Sequence, residues 1–492
     1  MSTEQNASEV AVLVPDQEES TASAQSQQVG HVNPDLLDPQ KAMWKPLLIF
    51  LIPFILSNVL QSLGGTVGSS VVGKGIGETA LASLNVVMPV MFFMISFVFG
   101  LGSASSVLIG QAFGAGDQER IRKTVNTSLK FALILGVIVG IAGYAFARDL
   151  LILIQSPPTI IEGAVQFSRV MFIGMPLWFV YIIYTTFLRG TGDSKTPLYF
   201  LIISTALQIL FSPWFAFGWL GVPAFGLVGV AFANILSLLI TMIILVVYLA
   251  YKKHLLALDW SFVREIGIDR EILLLMVKIG IPTSIQMVSV SLSELAVIFL
   301  INMHGERAVA AYGAVIQVIT YVQMPAISLS MAVGIFGSQL IGARAVHRLG
   351  ALLRSGILLN YIMGIILVGI SYLFSEYILA WFLVDPVTLE MAQKTLLMVL
   401  WSYMIFGHAM IVSGLMRSSG TVFWPTVIGI FTVWGVQVPV AYLLSKVWGM
   451  GLDGIWLAYP VSFTVSLLLE YGYYYFFWKN KDHGILFAEK PE

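Results

Sequence analysis

Twelve long apolar runs recur along this 492-residue chain and constrain its fold more than any other feature. Each run is near the roughly 20 residues that a helix needs to cross the hydrocarbon core of a bilayer. Charged residues supply only 11% of the sequence, well below the roughly 25% of soluble domains. We therefore predict an all-α polytopic membrane protein with twelve transmembrane helices. The runs lie near residues 45–72, 79–112, 126–147, 163–187, 197–219, 226–250, 272–303, 309–341, 352–375, 392–416, 424–445 and 453–477.

The hydrophilic segments indicate how the protein sits in the membrane. Lysine and arginine gather on the cytoplasmic side of membrane proteins, and the side that holds both termini carries most of the 26 basic residues. We therefore predict a multi-pass protein of the plasma membrane with both termini in the cytoplasm. Residues 1–43 are polar and lack the pattern of a signal peptide, so they are predicted to be a disordered cytoplasmic tail. Residues 481–492 are predicted to be a second cytoplasmic tail.

Composition and motifs exclude several classes of function. The chain has no cysteine, which excludes disulfides, thiol nucleophiles and thiolate metal sites. A net charge of −1 argues against a nucleic-acid partner. The spacings typical of metalloproteases and nucleophile elbows do not occur. We therefore predict no enzyme activity, no metal and no cofactor; a membrane-embedded enzyme and a channel are the alternatives from other classes.

An internal repeat divides the apolar runs into two sets of six. "GETALASLN" from Gly77 returns as "GERAVAAYG" from Gly305, and "QAFGAG" from Gln111 returns as "QLIGAR" from Gln339, both after 228 residues. Because six is an even number, the two halves share one orientation in the membrane. We therefore predict two pseudo-symmetric six-helix bundles joined by a cytoplasmic linker. The predicted bundles and linker are residues 44–252, 272–480 and 253–271.

These motifs resemble those of the multidrug and toxic compound extrusion (MATE) family. The resemblance covers about residues 45–478 and is carried by "GQAFGAG", "FLRGTGDSKTP", "LMRSSGTVFWP" and "VWGMGLDGIWLAYP". It implies two six-helix lobes that export amphipathic, often cationic, organic compounds, driven by an inward proton or sodium gradient. Repeated halves of this kind enclose a central cavity that opens to each side in turn, which is alternating access.

The first half departs from the family where bacterial members carry acidic residues. The first helix of those members has a "VD" step, whereas this chain has "VG", with Gly68 in place of the carboxylate. In the fifth run, Gln208 and Ser212 stand where the family often has Asn and Asp. The family's usual ion site in the first half is therefore not predicted for this chain.

Glu294 and His408, both in the second half, are the candidates for ion coupling. Glu294 lies within the seventh run, where a charge costs about 2.5–3.5 kcal/mol on insertion scales, so its presence favours a function or a partner. Burial disfavours the charged form of a carboxyl group, which suits the uptake and release of a proton. His408, in the tenth run, can titrate near neutral pH and is a poor ligand for sodium. We therefore predict proton coupling in preference to sodium; the alternative for both residues is structural hydrogen bonding.

Three further charged residues lie within an apolar run or just beyond its end. Glu470, in the last run, is a weaker candidate for coupling because its position nearer the cytoplasmic end allows it to reach the interface. Arg189 and Arg417 lie at equivalent helix ends of the two halves. We interpret both arginines as structural residues that bond the terminal carbonyls of their helices.

The predicted substrate cavity combines apolar surface with a few convergent polar groups. Methionine and aromatic side chains suit organic cations of different shapes, although each of them is also typical of helix packing or lipid contact. Small organic molecules, protons or sodium ions, and lipid are the expected partners of a protein that acts as a monomer. A flippase for a lipid-linked precursor is the alternative transporter, although the interior has few basic residues for a pyrophosphate group. The predicted cavity residues are Asn58, Gln61, Gly68, Met88, Gln208, Ser212, Gln286, Gln317 and Tyr321.

Overall fold

The apolar runs form long helices because backbone groups inside a bilayer must find their hydrogen-bond partners within the segment. Eleven helices of the described chain are long and apolar enough to cross a membrane. A bent pair, Pro158–Ile173 and Met175–Gly190, makes the twelfth crossing. The all-α fold with twelve spans is therefore confirmed. The computed structural model describes residues 32–218, 221, 223–258, 267–481 and 483–487.

Each bundle contains six consecutive spans. After α1 (Pro34–Leu37), the first bundle consists of α2 (Trp44–Val71, continued by a π-helical turn at Val72–Ile76), α3 (Glu78–Gly114), α4 (Gln118–Leu153), α5 (Pro158–Ile173) with α6 (Met175–Gly190), α7 (Lys195–Phe217) and α8 (Gly226–Tyr251). The second consists of α9 (Arg270–Asn302), α10 (Glu306–Gly342), α11 (Leu349–Leu373, after a 3-10 turn at Val346–Arg348), α12 (Ser375–Ala380), α13 (Pro386–Val399) with α14 (Tyr403–Arg417), α15 (Phe423–Phe431) with α16 (Val438–Tyr442), and α17 (Leu452–Tyr473). Short 3-10 or π-helical segments extend or join these helices at Leu400–Ser402, Thr432–Gln437, Leu443–Val447 and Tyr474–Trp478.

The fourth span bends by 53° at Gly174, between α5 and α6. Pro176 is the second residue of α6, and its missing N–H removes a hydrogen bond that a straight helix would make. Two glycines of α4 pack against this bend. A Cβ on Gly136 would lie 2.6 Å from Pro176 Cα, and one on Gly140 would lie 2.7 Å from the Phe172 carbonyl oxygen. The bent span therefore fits against its neighbour through backbone contact.

The two bundles are in backbone contact where α3 crosses α10. A Cβ on Gly114 would lie 2.1 Å from the Gln339 carbonyl oxygen, and one on Gly342 would lie 2.0 Å from the Gln111 carbonyl oxygen. Glycine is required at both positions because any side chain would enter the facing backbone. This contact lies at the terminal end, which we define as the end of the molecule that contains residues 32–43 and 483–487.

A pair of amide hydrogen bonds reinforces the crossing and follows the sequence repeat. Gln111 Nε2 donates to the Ser418 carbonyl at 2.8 Å, and Gln339 Nε2 donates to the Gly190 carbonyl at 2.9 Å. The two glutamines are equivalent in the repeat, and so are the two acceptors. Each bundle thus donates one hydrogen bond to the other at the terminal end.

Contacts between the bundles decrease toward the opposite end. Asn58, in the middle of α2, still donates to Ser328 Oγ of α10 at 3.0 Å. Further along, Gly68 of α2 and Gly313 of α10 have no neighbouring atom within 4 Å of the position that a Cβ would take. The described contacts between the bundles are therefore found at the terminal end, which we call closed, and are absent at these two positions near the opposite end, which we call open.

Arg348 holds the first terminal segment against the closed end. Its side chain, only 6% exposed, donates to the carbonyls of Leu36 at 3.2 Å, Pro39 at 3.1 Å and Lys41 at 2.9 Å. Leu36 is fully buried. Residues 32–43 are thus packed on the protein, which differs from their prediction as part of a disordered tail; the remainder of that predicted tail, residues 1–31, lies outside the described residues.

Arg120 holds the second terminal segment in the equivalent way. Arg120 and Arg348 are 228 residues apart, as the repeat requires. Arg120 donates to the Phe487 carbonyl and lies 5.1 Å from the centre of the Phe487 ring. The Leu486 N–H donates to Gln111 Oε1 at 2.9 Å, so this segment also contacts the amide that links the bundles. Part of the predicted second tail is therefore packed as well.

The glycine contact predicts a large effect of one added methyl group. We expect Gly342→Ala to destabilise the protein by about 1–3 kcal/mol, because the Cβ would enter the backbone of α3. Gly350→Ala is the matched control, since Gly350 lies in a helix with open space around it. The measurement is thermal unfolding of both variants in detergent. Equal melting temperatures would show that α3 and α10 are not in backbone contact there.

The three hydrogen bonds from Arg348 to the backbone of residues 32–43, which we call the clasp, predict that this segment is protected from protease. Arg348→Ala removes the charged donor from three carbonyl groups. Each such hydrogen bond contributes about 1.5–3 kcal/mol to stability. We expect trypsin to cleave the variant after Lys41 faster than it cleaves the parent protein, as followed by mass spectrometry. Arg354→Ala, which changes an exposed arginine of the same helix, is the control. An unchanged cleavage rate in Arg348→Ala would contradict the clasp.

Candidate functional site

Glu294 lies on α9, about two turns before the end of that helix. Its carboxylate is close enough for electrostatic interaction with Tyr312 of α10, Tyr403 of α14 and Tyr459 of α17. The Glu294 side chain itself remains exposed. The carboxylate is therefore within electrostatic range of side chains from three other helices of its own bundle, and the Glu294 side chain is exposed in this conformation.

The three tyrosines belong to a group that we call the aromatic cluster: Tyr312, Tyr403, Trp456, Tyr459 and Phe463. The rings of Tyr312 and Trp456 stack with centroids 5.6 Å apart, and Tyr403 meets Phe463 edge-on at 5.1 Å. All five side chains are buried. Aromatic faces attract cations, but in this conformation the five rings pack inside the bundle, so an organic cation at Glu294 could contact them only after this packing opens.

Arg417, the last residue of α14, forms a link to α9. It donates to Thr283 Oγ1 at 3.0 Å and to Gln286 Oε1. Its repeat equivalent, Arg189, lies 4.5 Å from the centre of the Phe54 ring. Both arginines point into their own bundle because a polar or aromatic partner lies within reach there. They therefore contact side chains of neighbouring spans, which corrects the interpretation that they bond terminal carbonyls.

Glu470 of α17 lies beside this arginine in the second bundle. Its side chain is 3% exposed, hydrogen-bonds with Ser413 and interacts electrostatically with Arg417. Glu470 Oε2 is buried and has no partner among the described residues. The expectation that Glu470 reaches the interface is wrong, because α17 directs the carboxylate toward α14 inside the bundle.

His408 occupies a different part of α14. Its Nδ1 atom is 3.2 Å from the Tyr361 hydroxyl, and its ring meets Tyr471 edge-on at 5.9 Å. Its Nε2 atom is buried without a partner in the described part of the chain. The neighbours of His408 are thus not those of Glu294, and the structure does not bring the two predicted coupling residues into one site.

Three of the predicted cavity residues are engaged elsewhere. Asn58 bonds Ser328 across the bundles, Gln286 accepts from Arg417, and Ser212 is only 5% exposed. In this conformation a substrate cannot reach their polar groups without breaking these contacts or the packing. Their contact with a substrate stays a prediction.

The remaining predicted cavity residues are accessible to different degrees. Gln208 is half-buried, and no side-chain atom faces the Cβ position of Gly68. Their contact with a substrate, like that of the others, stays a prediction. The exposed members are Gln61, Met88, Gln317 and Tyr321.

A known family model matches both halves of the chain. The MatE model matches residues 53–214 and again residues 282–443. This chain belongs to the MatE family. The resemblance noted in the motifs is therefore confirmed, and this family member is a multi-pass membrane transporter.

MatE-family relatives align along most of the chain. Probable multidrug resistance protein YoeA of Bacillus subtilis (strain 168) is 48% identical over 440 residues, which cover 89% of this chain and 95% of the relative. Probable multidrug resistance protein NorM of Thermotoga maritima is 25% identical over 422 residues, 84% of this chain and 88% of the relative. The match to YoeA is by itself sufficient for family membership.

Solved structures of the family share this fold. The outward-facing conformation of a multidrug resistance MATE family transporter of the MOP superfamily superposes with a TM-score of 0.81 at 22% identity, covering 89% of this chain and 96% of that chain. The crystal structure of MATE in the bent conformation gives a TM-score of 0.82 at the same identity and coverage. The two-bundle MatE architecture is therefore established for this chain.

The interaction between Arg417 and Glu470 in this MatE protein predicts that stability depends on both residues. We expect Arg417→Met to destabilise the protein by about 1–3 kcal/mol, because it removes the charged donor to Thr283 and Gln286 and the positive charge that interacts with the buried Glu470 carboxylate. The double variant Arg417→Met/Glu470→Gln is expected to recover much of that loss. Arg189→Met, which removes an arginine beside an aromatic ring, is the control. Thermal unfolding in detergent measures all four proteins; no recovery in the double variant would disprove the electrostatic link.

Proposed function

We propose that this protein exports amphipathic organic cations in exchange for protons by alternating access. The observation that carries the proposal is Glu294 beside the aromatic cluster. This site joins an accessible negative charge to apolar, cation-attracting surfaces within a membrane-spanning bundle. The similarity to YoeA and NorM, both named as probable multidrug resistance proteins, supports export of organic compounds.

The proposed mechanism uses one carboxylate for two cations in turn. An ionised Glu294 attracts an organic cation, whose apolar body contacts the aromatic cluster once its packing opens. A proton taken from the side of higher proton concentration neutralises the carboxylate and removes this attraction, so the cation leaves. Exchange follows because the same group cannot balance both positive charges at once.

Protons are preferred to sodium as the coupling ion on chemical grounds. Hard cations are held by several oxygen ligands, and the partners of Glu294 described above are neutral tyrosines. Within the described residues, no group of three or more His, Asp or Glu side chains that could hold a metal ion is found. His408 is the second residue proposed to take part in proton coupling, because an imidazole exchanges protons near neutral pH and is a poor ligand for sodium.

The closed terminal end and the open opposite end support alternating access. The distribution of basic residues favours a cytoplasmic terminal end, so this conformation is proposed to face outward across the plasma membrane. The exchange then requires the crossing of α3 and α10 to separate. We propose that residues 44–252 and 272–480 move as the two units of a monomer, joined through the linker at 253–271.

The proposed function predicts the behaviour of Glu294→Gln in cells. We expect cells with the parent protein to expel ethidium, a fluorescent organic cation, and a protonophore to stop the export. Glu294→Gln keeps the shape but not the charge, and we expect it to abolish export at an equal level of protein. His408→Ala is expected to reduce export.

Controls separate loss of mechanism from loss of folding. Glu162→Gln makes the same chemical change at an exposed helix position, where Glu162 pairs with Arg148, and should export normally. Normal export by Glu294→Gln would show that Glu294 is not the coupling group. If the parent protein exports no cation, the cation-export function is wrong, and transport of a lipid-linked precursor becomes the alternative to test.

A further inference from the structure

Glu470 has no role in the exchange proposed above, although it is the more deeply buried carboxylate. It is 3% exposed, hydrogen-bonds with Ser413 and lies beside Arg417. One of its oxygens, Oε2, has no partner among the described residues. An ionisable group at this depth is costly, so its presence requires a reason.

The sequence repeat offers an internal comparison that argues against a purely structural role. Arg189 and Arg417 are equivalent, yet only the second bundle has the acid. "GLVGVAFANILS" from Gly226 aligns with "GLDGIWLAYPVS" from Gly451, and this register places Leu245 opposite Glu470. Leu245 is fully buried, and Arg189 lies on the Phe54 ring. An arginine is therefore held at this place in the fold without a carboxylate.

We propose that Glu470 is a second proton-binding site of the transporter, with Arg417 as its fixed counter-charge. When ionised, Glu470 balances Arg417. When Glu470 takes up a proton, Arg417 keeps its charge and depends on Thr283 and Gln286 of α9 for hydrogen bonds. Protonation would thus strengthen the attachment of α14 to α9 and weaken its attachment to α17. This inference rests on proton coupling as the proposed function.

The geometry connects this site to Glu294 along one helix. Gln286 and Glu294 lie on the same face of α9, eight residues apart, which corresponds to about 12 Å. The open end of the molecule gives access to Glu294, whereas Arg417 and Glu470 lie nearer the closed terminal end. The two carboxylates are therefore suited to bind the proton at successive stages of one transport cycle.

The groups that surround Glu470 limit what else could titrate with it. Ser413 of α14 hydrogen-bonds with it and Arg417 of α14 interacts with it electrostatically, while Arg417 itself donates to the uncharged Thr283 and Gln286 of α9. The nearest other titratable residues in sequence are its neighbour Tyr471, whose ring meets that of His408, and then Tyr473 and Tyr474 about one turn later. A proton response lost in Glu470→Gln but kept in His408→Ala would therefore belong to Glu470.

The test uses the full-length protein in liposomes with ethidium as the probe. In Glu470→Gln we expect accumulation driven by a pH gradient to fall by about tenfold or more, within the range of typical coupling free energies. Counterflow, the exchange of labelled for unlabelled ethidium without a gradient, should stay near the parent level. A protein that was merely misfolded would lose both activities. Glu162→Gln should retain both.

Each outcome has a distinct meaning. Normal gradient-driven accumulation in Glu470→Gln overturns the inference. If the parent protein shows counterflow but no response to a pH gradient, proton coupling itself fails, which is a failure of the proposed function. If Glu470→Gln cannot be purified as a single species, Ser413→Ala replaces it, because that change keeps the carboxylate and removes the hydroxyl that interacts with both Glu470 and Arg417. An unchanged pH midpoint of transport in Ser413→Ala then overturns the inference.

Discussion

Backbone contact between α3 and α10 is the constraint on which the rest of the structure depends. Gly114 and Gly342 bring the two helices so close that the backbone oxygens of Gln339 and Gln111 occupy the space of the missing side chains. Both amide hydrogen bonds and the packed terminal segments exist only because the bundles meet at this distance. The same contact sets the shape of the opening, since two bundles joined at one end can separate only at the other.

The two bundles share a backbone plan but differ in their charges. Arg189 and Arg417 occupy equivalent places, yet one lies on an aromatic ring and the other beside a carboxylate. Gly68 and Ser212 lie where the MATE resemblance predicts acids in the first bundle, whereas Glu294 and Glu470 belong to the second. The two bundles thus share a repeated backbone, whereas the carboxylates Glu294 and Glu470 both lie in the second bundle.

Much of the fold could be predicted from the sequence because hydrophobic length and internal repetition are local signals. The twelve spans, the two bundles and the family are confirmed. The partners of Arg417 could not be predicted, because hydropathy does not show which way a side chain turns inside a bundle. The one available signal was the repeat itself, because Leu245 of the first half aligns with Glu470 of the second. The packing of Leu36 was missed because a short segment among polar residues resembles a free tail.

The contacts made by Arg348 have a consequence for how this protein can diverge. Its donors meet the carbonyl oxygens of Leu36, Pro39 and Lys41, atoms that every amino acid possesses. Selection acting through this arginine therefore constrains the backbone conformation of the terminal segment and places little constraint on its amino-acid sequence. A distant member of the family could retain the same clasp with an unrelated terminal sequence, and an alignment of residues alone would fail to reveal it.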